Sequence, residues 1–149
     1  MKSFEDAAHR RRIAAALDAG HGRCLLRDPT TAEVVETALF DGDDCYYDLL
    51  AWVIMPNHVH VLILPAPDQR LPDIVQRWKS WTARLINRLR GEKGTIWQRE
   101  YFDRYMRDDA HVAAAIAYIE DNPVKAGLAK TAANWRFGST WWRARPHSS

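Results

Sequence analysis

Residues 55–64 constrain the fold most, because they combine an apolar run typical of a buried β-strand with two histidines. The stretch reads MPNHVHVLIL, so that His58 and His60 are separated by a single residue. Successive side chains of a strand point to opposite faces, and both imidazoles are therefore predicted to project from one face, roughly 7 Å apart along the backbone. A single metal ion can bridge two imidazoles arranged in this way.

Histidine is an unusual choice for a buried strand. Desolvating a polar ring without partners costs about 1–3 kcal/mol, so two such rings on one face indicate a function. The sequence also allows a structural interpretation, in which one histidine is a hydrogen-bonded core residue and the other lies at the surface where the strand begins. The His-x-His pattern alone does not decide between the two interpretations.

A second informative segment, AYIEDNPVKAGL, begins at Ala117. Residues 108–122 are predicted to form a helix that is capped by Asp108 or Asp109 and ends before Pro123. Tyr118 and Asn122 are then one turn apart and share a face, so a hydroxyl and an amide oxygen can contact the same bound group. The structural alternative is that Tyr118 is a core residue and Asn122 only ends the helix.

Four strings, in the order MPNHVHVLI, WKSWTARLINR, IWQREYFDRYMRDD and YIEDNPVKAGL, resemble the single-tyrosine HUH transposases, most closely the REP-associated tyrosine transposase branch. The resemblance covers about residues 20–139. It implies that His58 and His60 lie on the central strand of an antiparallel sheet and bind a divalent metal. It further implies that Tyr118 is the nucleophile and that Asn122 is the third metal ligand.

The chemistry suits these residue types. A tyrosine hydroxyl has an ordinary pKa near 10 and is a weak nucleophile at neutral pH, so it needs activation. A divalent ion held by two imidazoles and an amide keeps its full charge for a phosphodiester. Ligand type alone allows Mn²⁺, Zn²⁺ or Ni²⁺, and the resemblance implies Mg²⁺ or Mn²⁺. Attack by Tyr118 would give a 5′-phosphotyrosine and a free 3′ hydroxyl, from which strands can be rejoined without ATP.

The formal net charge of +2 does not by itself indicate a nucleic-acid-binding protein, but basic residues alternate with aromatic ones between Arg70 and Arg107. Basic groups that contact phosphates and rings that stack on bases are the two components of single-strand binding. A solvated basic helix with tryptophans in the core would give the same pattern. The predicted DNA-binding residues are Arg77, Lys79, Trp81, Arg84, Arg88, Trp97 and Arg104.

Length and pattern predict a single α+β domain over residues 1–149, with helices packed on an antiparallel sheet in an HUH-like, ferredoxin-related arrangement. Helix 5–19 is rich in alanine and arginine and closed by Gly20, and Thr30 with Glu33 forms a capping box for a helix that ends at about residue 39. The other predicted elements are strands 46–55 and 58–64, helix 72–90, strand 102–106 and helix 108–122.

The N-terminus departs from the family pattern. Relatives begin with a strand beside the HUH strand, whereas here Met1 leads almost directly into the predicted helix 5–19. The N-terminal strand is therefore predicted to be missing. Either the chain starts further upstream, or its sheet has an exposed edge that favours dimerisation or poor solubility.

Two cysteines, Cys24 and Cys45, are too few for a disulfide framework and match no paired metal-ligand spacing, so both are predicted to be reduced in the cytoplasm. The chain has no signal-peptide-like start and no apolar run of membrane-spanning length.

The sequence thus predicts a metal-dependent transposase that nicks and rejoins hairpin-bearing single-stranded DNA. The expected partner is single-stranded or hairpin DNA resembling a repetitive extragenic palindrome. The protein is expected to bind it as a monomer or homodimer and not to associate with a membrane. One alternative is an inactive or domesticated relative that binds a DNA hairpin without cutting it. Another is a metallohydrolase that acts on a small phosphoester and does not need Tyr118.

Overall fold

The computed structural model describes residues 11–19 and 24–145. Its centre is a four-stranded antiparallel sheet with the strand order β2-β3-β1-β4. The strands are β1 (Ile13–Asp18), β2 (Tyr47–Ile54), β3 (His58–Pro65) and β4 (Phe102–Tyr105). The helices are α1 (Pro29–Gly42), α2 (Leu71–Arg90), α3 (Asp109–Lys125) and α4 (Ser139–Ala144), with short 3-10 helices at Leu25–Arg27 and Ala132–Asn134.

The two faces of the sheet carry separate apolar layers. Helices α1 and α2 pack on one face, where Val59, Val61 and Ile63 of β3 enter the larger core. Helix α3 covers the other face through Ile119, which packs in a smaller cluster that includes Leu62 of β3. The alternation of side chains along β3 therefore assigns its histidines to the α3 face. The predicted α+β architecture is confirmed.

The helix predicted over residues 5–19 is wrong where the structure describes it. Residues 13–18 form β1, which lies between β3 and β4. Alanine favours helices in isolation, but Ile13, Ala15 and Leu17 are buried at period two, and pairing on both sides overrides the propensity. The strand that was predicted to be missing is thus present beside the histidine strand. The expectation of a sheet edge left exposed by its loss therefore no longer applies. Residues 5–10 and Gly20 lie outside the described residues.

Helix α1 begins with a different cap from the predicted one. Asp28 is the N-cap, and its Oδ1 accepts a hydrogen bond from the Thr30 N–H at 3.0 Å. Pro29 occupies the first helical position, where a missing N–H has no cost. The helix continues to Gly42, three residues beyond the predicted end.

Helix α3 begins as predicted, with the Asp108 Oδ1 accepting the His111 N–H at 2.8 Å. Its predicted end before Pro123 is wrong, because the helix continues to Lys125. Pro123 removes one backbone hydrogen bond from the helix, but it lies in the last turn, where its ring is buried. The chain leaves the helix at Gly127, whose φ of +74° suits a residue without a side chain.

The segment after α3 returns to the outer edge of β2. The Ile54 N–H donates to the Phe137 carbonyl at 2.8 Å, and Val53 pairs with Gly138 in an isolated bridge. Arg136 forms an ion pair with the buried Glu36 of α1 at 3.1 Å. These contacts cover part of the β2 edge, whereas all four residues of β4 are exposed.

Within residues 11–19 and 24–145, no helix is both long enough and apolar enough to cross a membrane. Cys24 and Cys45 are exposed, and neither belongs to a disulfide.

Candidate active site

Strand β3 places His58 and His60 side by side on the α3 face of the sheet. Their ring centroids are 4.8 Å apart and the ring planes are nearly perpendicular, at 89°. The predicted same-face arrangement is confirmed. His58 Nδ1 lies 2.7 Å from Asn57 Oδ1, so this nitrogen donates its proton to the amide and Nε2 keeps a free lone pair. Such a partner fixes the tautomer that a metal-binding imidazole requires.

Burial keeps both imidazoles neutral. The pKa of His60 is lowered to about 4, mainly by desolvation and in part by the neighbouring His58, while Asp18 acts in the opposite direction. Desolvation also lowers the pKa of His58, again opposed by Asp18. At pH 7 the pair therefore presents unprotonated nitrogens rather than two positive charges.

Helix α3 holds Tyr118 against the imidazole pair. The ring centroids of Tyr118 and His60 are 5.9 Å apart at an interplanar angle of 86°. Tyr118 is 54% exposed, whereas the adjacent Ile119 is 2% exposed and anchors the helix on the sheet. Tyr118 is therefore not a core residue, and about half of it is open to solvent.

Asn122 lies one turn beyond Tyr118 on α3 and is half-buried. Lys125 lies in the last turn of the same helix, and its Nζ is 5.3 Å from the centroid of the Tyr118 ring. Sequence reasoning did not single out Lys125. A spacing of seven residues from Tyr118 places it on the same helix face and was the signal that could have found it.

Asp18 is a second residue that sequence reasoning missed. It is the register partner of His58 across the β1–β3 ladder and influences the pKa of both histidines. No sequence signal could reveal it while residues 5–19 were interpreted as a helix.

The predicted DNA-binding residues do not form one surface. Helix α2, which carries Arg77, Lys79, Trp81, Arg84 and Arg88, packs on the face of the sheet opposite the histidines. Arg84 and Arg88 are exposed on that helix. The Arg77 guanidinium stacks 3.7 Å from the centroid of the Tyr46 ring, and both line a cavity of about 130 Å³ together with the half-buried Trp81.

One of these predictions is wrong, and another residue has a structural role that the sequence did not show. Trp97 is 4% exposed, and its Nε1–H donates to Thr82 Oγ1 at 2.8 Å, so its ring belongs to the core and cannot stack on a base. The Lys79 ammonium donates to the carbonyls of Gln98 and Arg99 at 2.8 and 3.0 Å. Burial lowers the pKa of Lys79, and its ammonium ties the 98–99 loop to α2, so a phosphate contact by this residue stays a prediction.

Arg104 is the predicted DNA-binding residue that shares a cavity with the tyrosine. A groove of about 580 Å³ lies between β4 and α3, and Tyr118, His60 and Arg104 line it. Phe102 and His111 also line this groove. The arrangement can thus place an anionic group between an arginine, a tyrosine hydroxyl and a neutral imidazole.

The fold and this site define a class of protein in which a histidine pair on the central strand of an antiparallel sheet faces a tyrosine on the covering helix. The chain belongs to the IS200-like transposase family, whose family model, described as "Transposase IS200 like", matches residues 23–122.

Two relatives of known sequence are named for one branch of this family. A REP-associated tyrosine transposase of Escherichia coli K12 is 30% identical over 94 residues, which are 62% of this chain and 54% of that protein. A Haemophilus influenzae protein named for the same branch is 29% identical over an alignment of 103 residues, and the match covers 62% of this chain and 58% of that protein. The match thus spans little more than half the length of these relatives.

A solved structure shares the fold. It is described as a REP-associated tyrosine transposase bound to a REP hairpin, with a TM-score of 0.73 and 23% sequence identity. The superposition covers 89% of this chain and 78% of that one.

Proposed function

We propose that this chain is a metal-dependent transposase that nicks and rejoins single-stranded DNA next to a hairpin. The observation that carries the proposal is the exposed Tyr118 on α3, whose ring centroid lies 5.9 Å from that of His60. The Tyr118 oxygen forms a bond to phosphorus while the bond from phosphorus to the 3′ oxygen breaks. The phenolic proton is lost to solvent and the leaving 3′ oxygen takes a proton from solvent, which gives a free 3′ hydroxyl that can later reverse the reaction.

We propose that His58, His60 and Asn122 hold a divalent metal, Mg²⁺ or Mn²⁺. The donor set fits such an ion, because both imidazoles are neutral and Asn57 leaves His58 Nε2 free to coordinate. When bound, the metal would polarise the phosphodiester and neutralise charge that develops on its oxygens. The choice between these metals and Zn²⁺ rests on the family rather than on the ligand types.

The chain's own groups supply the remaining chemistry. Tyr118 is held by Ile119, whose burial fixes the rotation of α3, so that the hydroxyl stays on the side of the histidines. Lys125 adds a positive charge beside the tyrosine ring, where the scissile phosphate would lie. This lysine attracts an anionic strand, and the neutral metal ligands do not offset it, whereas Asp18 beside His58 contributes the opposite charge.

The DNA partner is proposed to be a hairpin with single-stranded flanks. Support comes from the structural neighbour, which is described as bound to a REP hairpin. Because the chain matches little more than half the length of its relatives, hairpin recognition by this chain alone needs its own test.

The test is to incubate the protein with a labelled hairpin oligonucleotide and Mn²⁺ and to separate the products on a denaturing gel. A covalent protein–DNA adduct together with a shortened strand is the expected result. A shift on a native gel without an adduct would instead indicate a hairpin-binding protein that does not cut. If neither signal is seen, the remaining candidate is a hydrolase of small phosphoesters. That activity is tested with a chromogenic phosphodiester and the same metal.

A further inference from the structure

The groove beside Tyr118 owes its shape to alanines at the positions where the sheet faces α3. Ala16 of β1 lies in register between His60 of β3 and Phe102 of β4. Neighbouring strands are about 4.8 Å apart, so the imidazole and the phenyl ring are carried by backbones roughly 10 Å apart, with only a methyl group between them. The gap opens into the cavity of about 580 Å³, a volume typical of pockets that hold a small organic molecule.

Phe102 is the most exposed large apolar side chain among the described residues, at 65%. It lies on the edge strand β4, and its ring is left largely exposed by the part of the chain that the structure describes. Strand alternation directs Phe102 and Arg104 into the groove with Tyr118, whereas Asp103 and Tyr105 line a different cavity on the other face. The Phe102 ring therefore faces the same groove as Tyr118 and His60.

The groove also carries charge of one sign. Arg104 lines it opposite α3, and His111 lies two turns before Tyr118 on α3 itself. His111 Nδ1 accepts the Arg107 N–H at 3.1 Å, so the neutral ring must carry its proton on Nε2, which can donate to a phosphate oxygen. The described residues that line this groove include no carboxylate.

We propose that this groove binds the nucleotide of the DNA strand next to the bond that Tyr118 attacks. The base stacks on Phe102 above Ala16, and Arg104 and His111 hold the phosphate on its far side. The inference rests on the proposed function, because it extends the same DNA path away from Tyr118. The proposed ligand is single-stranded DNA, because an exposed ring beside a cationic arginine is the arrangement that binds unpaired bases in sequence-tolerant fashion.

The test uses binding rather than cleavage, so that it does not depend on the active-site assignment. Affinity for a random-sequence single-stranded oligonucleotide is measured by fluorescence anisotropy in EDTA, for wild type, Phe102→Ala and Ala114→Leu. Phe102→Ala removes the stacking ring, and Ala114→Leu fills the groove from its α3 wall. Each variant is expected to weaken binding about tenfold, as loss of one base–aromatic stack does.

Matched controls come from the same elements. Tyr105→Ala removes an exposed aromatic ring from the other face of β4, and Ala113→Leu adds the same side chain to α3 outside the groove. Both controls should bind within twofold of wild type. Thermal denaturation of all four variants confirms that they are folded, which the exposure of Phe102 favours.

The outcomes separate this inference from the proposed function. If wild type forms the covalent adduct but all four variants bind DNA equally, the groove assignment is overturned and the nicking activity stands. If no adduct forms but Phe102→Ala and Ala114→Leu alone lose binding, the groove is a DNA site and the proposed chemistry fails. Absence of single-strand binding by wild type would overturn the groove assignment as well.

Discussion

Tyr118 is the residue whose role can be isolated most cleanly. Tyr118→Phe removes only the hydroxyl from a half-exposed ring, so the fold and the ring contact with His60 should persist. The variant is expected to form no covalent adduct and no cleaved strand, while its DNA affinity stays within a few-fold of wild type. Denaturing gels and anisotropy on the same protein sample check the two halves of this prediction. Cleavage at more than a few per cent of the wild-type rate would exclude Tyr118 as the nucleophile.

The three proposed metal ligands are expected to contribute unequally to metal binding. His58→Ala and His60→Ala are each expected to eliminate cleavage, whereas Asn122→Ala should raise the Mn²⁺ concentration needed for half-maximal rate, because an amide oxygen is a weaker ligand than an imidazole. The measurement is cleavage rate against Mn²⁺ concentration for each variant. The same Mn²⁺ dependence in wild type and His60→Ala would contradict a shared site.

Tyr47 gives a pH-dependent prediction that does not involve the active site. Its buried hydroxyl donates to the Leu39 carbonyl at 2.6 Å and accepts from Trp78 Nε1–H at 3.0 Å. Burial raises the pKa of Tyr47 well above its ordinary value of 10. The native tyrosine therefore stays neutral at a pH where the unfolded chain ionises, and its stabilising contribution is complete below pH 10 and declines above it.

Tyr47→Phe should therefore lower the free energy of unfolding by about 1–3 kcal/mol at neutral pH, since it leaves buried partners unpaired. Above about pH 10 the difference from wild type should shrink by up to roughly 1.4 kcal/mol per pH unit. Urea unfolding of both proteins on either side of this pH measures it. A difference that stays constant with pH would show that the hydroxyl is not held in its neutral form.

At the level of elements, α2 separates into residues that hold the fold and residues that face solvent. Arg88 is exposed, whereas the Lys79 ammonium is bonded to two backbone carbonyls. If α2 contacts phosphates, Arg88→Ala should weaken binding to hairpin and unrelated single strands alike and should reduce the slope of log K against log salt by about 0.7. Lys79→Ala should instead lower thermal stability and leave that slope unchanged. An unchanged slope in Arg88→Ala would mean that α2 is a solvated face and that DNA lies on the α3 side alone.

The elements differ in how far sequence could predict them. Strands β2 and β3 and helix α2 were predictable from their apolar residues. These residues form the short apolar runs typical of buried strands in β2 and β3, and they follow the helical repeat in α2. Residues 13–18 were not, since IAAALD carries alanines that suit a helix, and its strand identity depends on partners distant in sequence. Trp97 shows the same limit, because a tryptophan in a basic segment fits base stacking and core packing equally well until its burial is known.

At the level of the whole molecule, the histidines and the tyrosine lie on different elements, so their geometry depends on how α3 is attached to the sheet. The HxH spacing fixed the arrangement within β3, and the Tyr118 to Asn122 spacing fixed it within α3. What brings the two together is packing by Ile119 and a polar junction at Glu120, neither of which has a sequence signature.

Ser139 is the centre of that junction. It is fully buried, its Oγ accepts the Trp52 N–H of β2 at 3.1 Å, and it donates to Glu120 of α3 at 2.5 Å. Arg143 of α4 completes the junction with an ion pair to Glu120 at 2.7 Å. One hydroxyl therefore joins the sheet, the tyrosine helix and the C-terminal helix.

Ser139→Ala should lower the free energy of unfolding by about 1–3 kcal/mol, because it leaves a buried N–H and a partly buried carboxylate without this partner. Ser80→Ala, which alters an exposed hydroxyl on α2, is the matched control and should change stability by less than about 0.5 kcal/mol. Because Glu120 lies two residues from Tyr118, Ser139→Ala should also reduce the cleavage rate more than it reduces DNA affinity. Urea unfolding, anisotropy and single-turnover cleavage measure the three quantities. A variant as stable and as active as wild type would show that apolar packing around Ile119 positions Tyr118 without help from the junction.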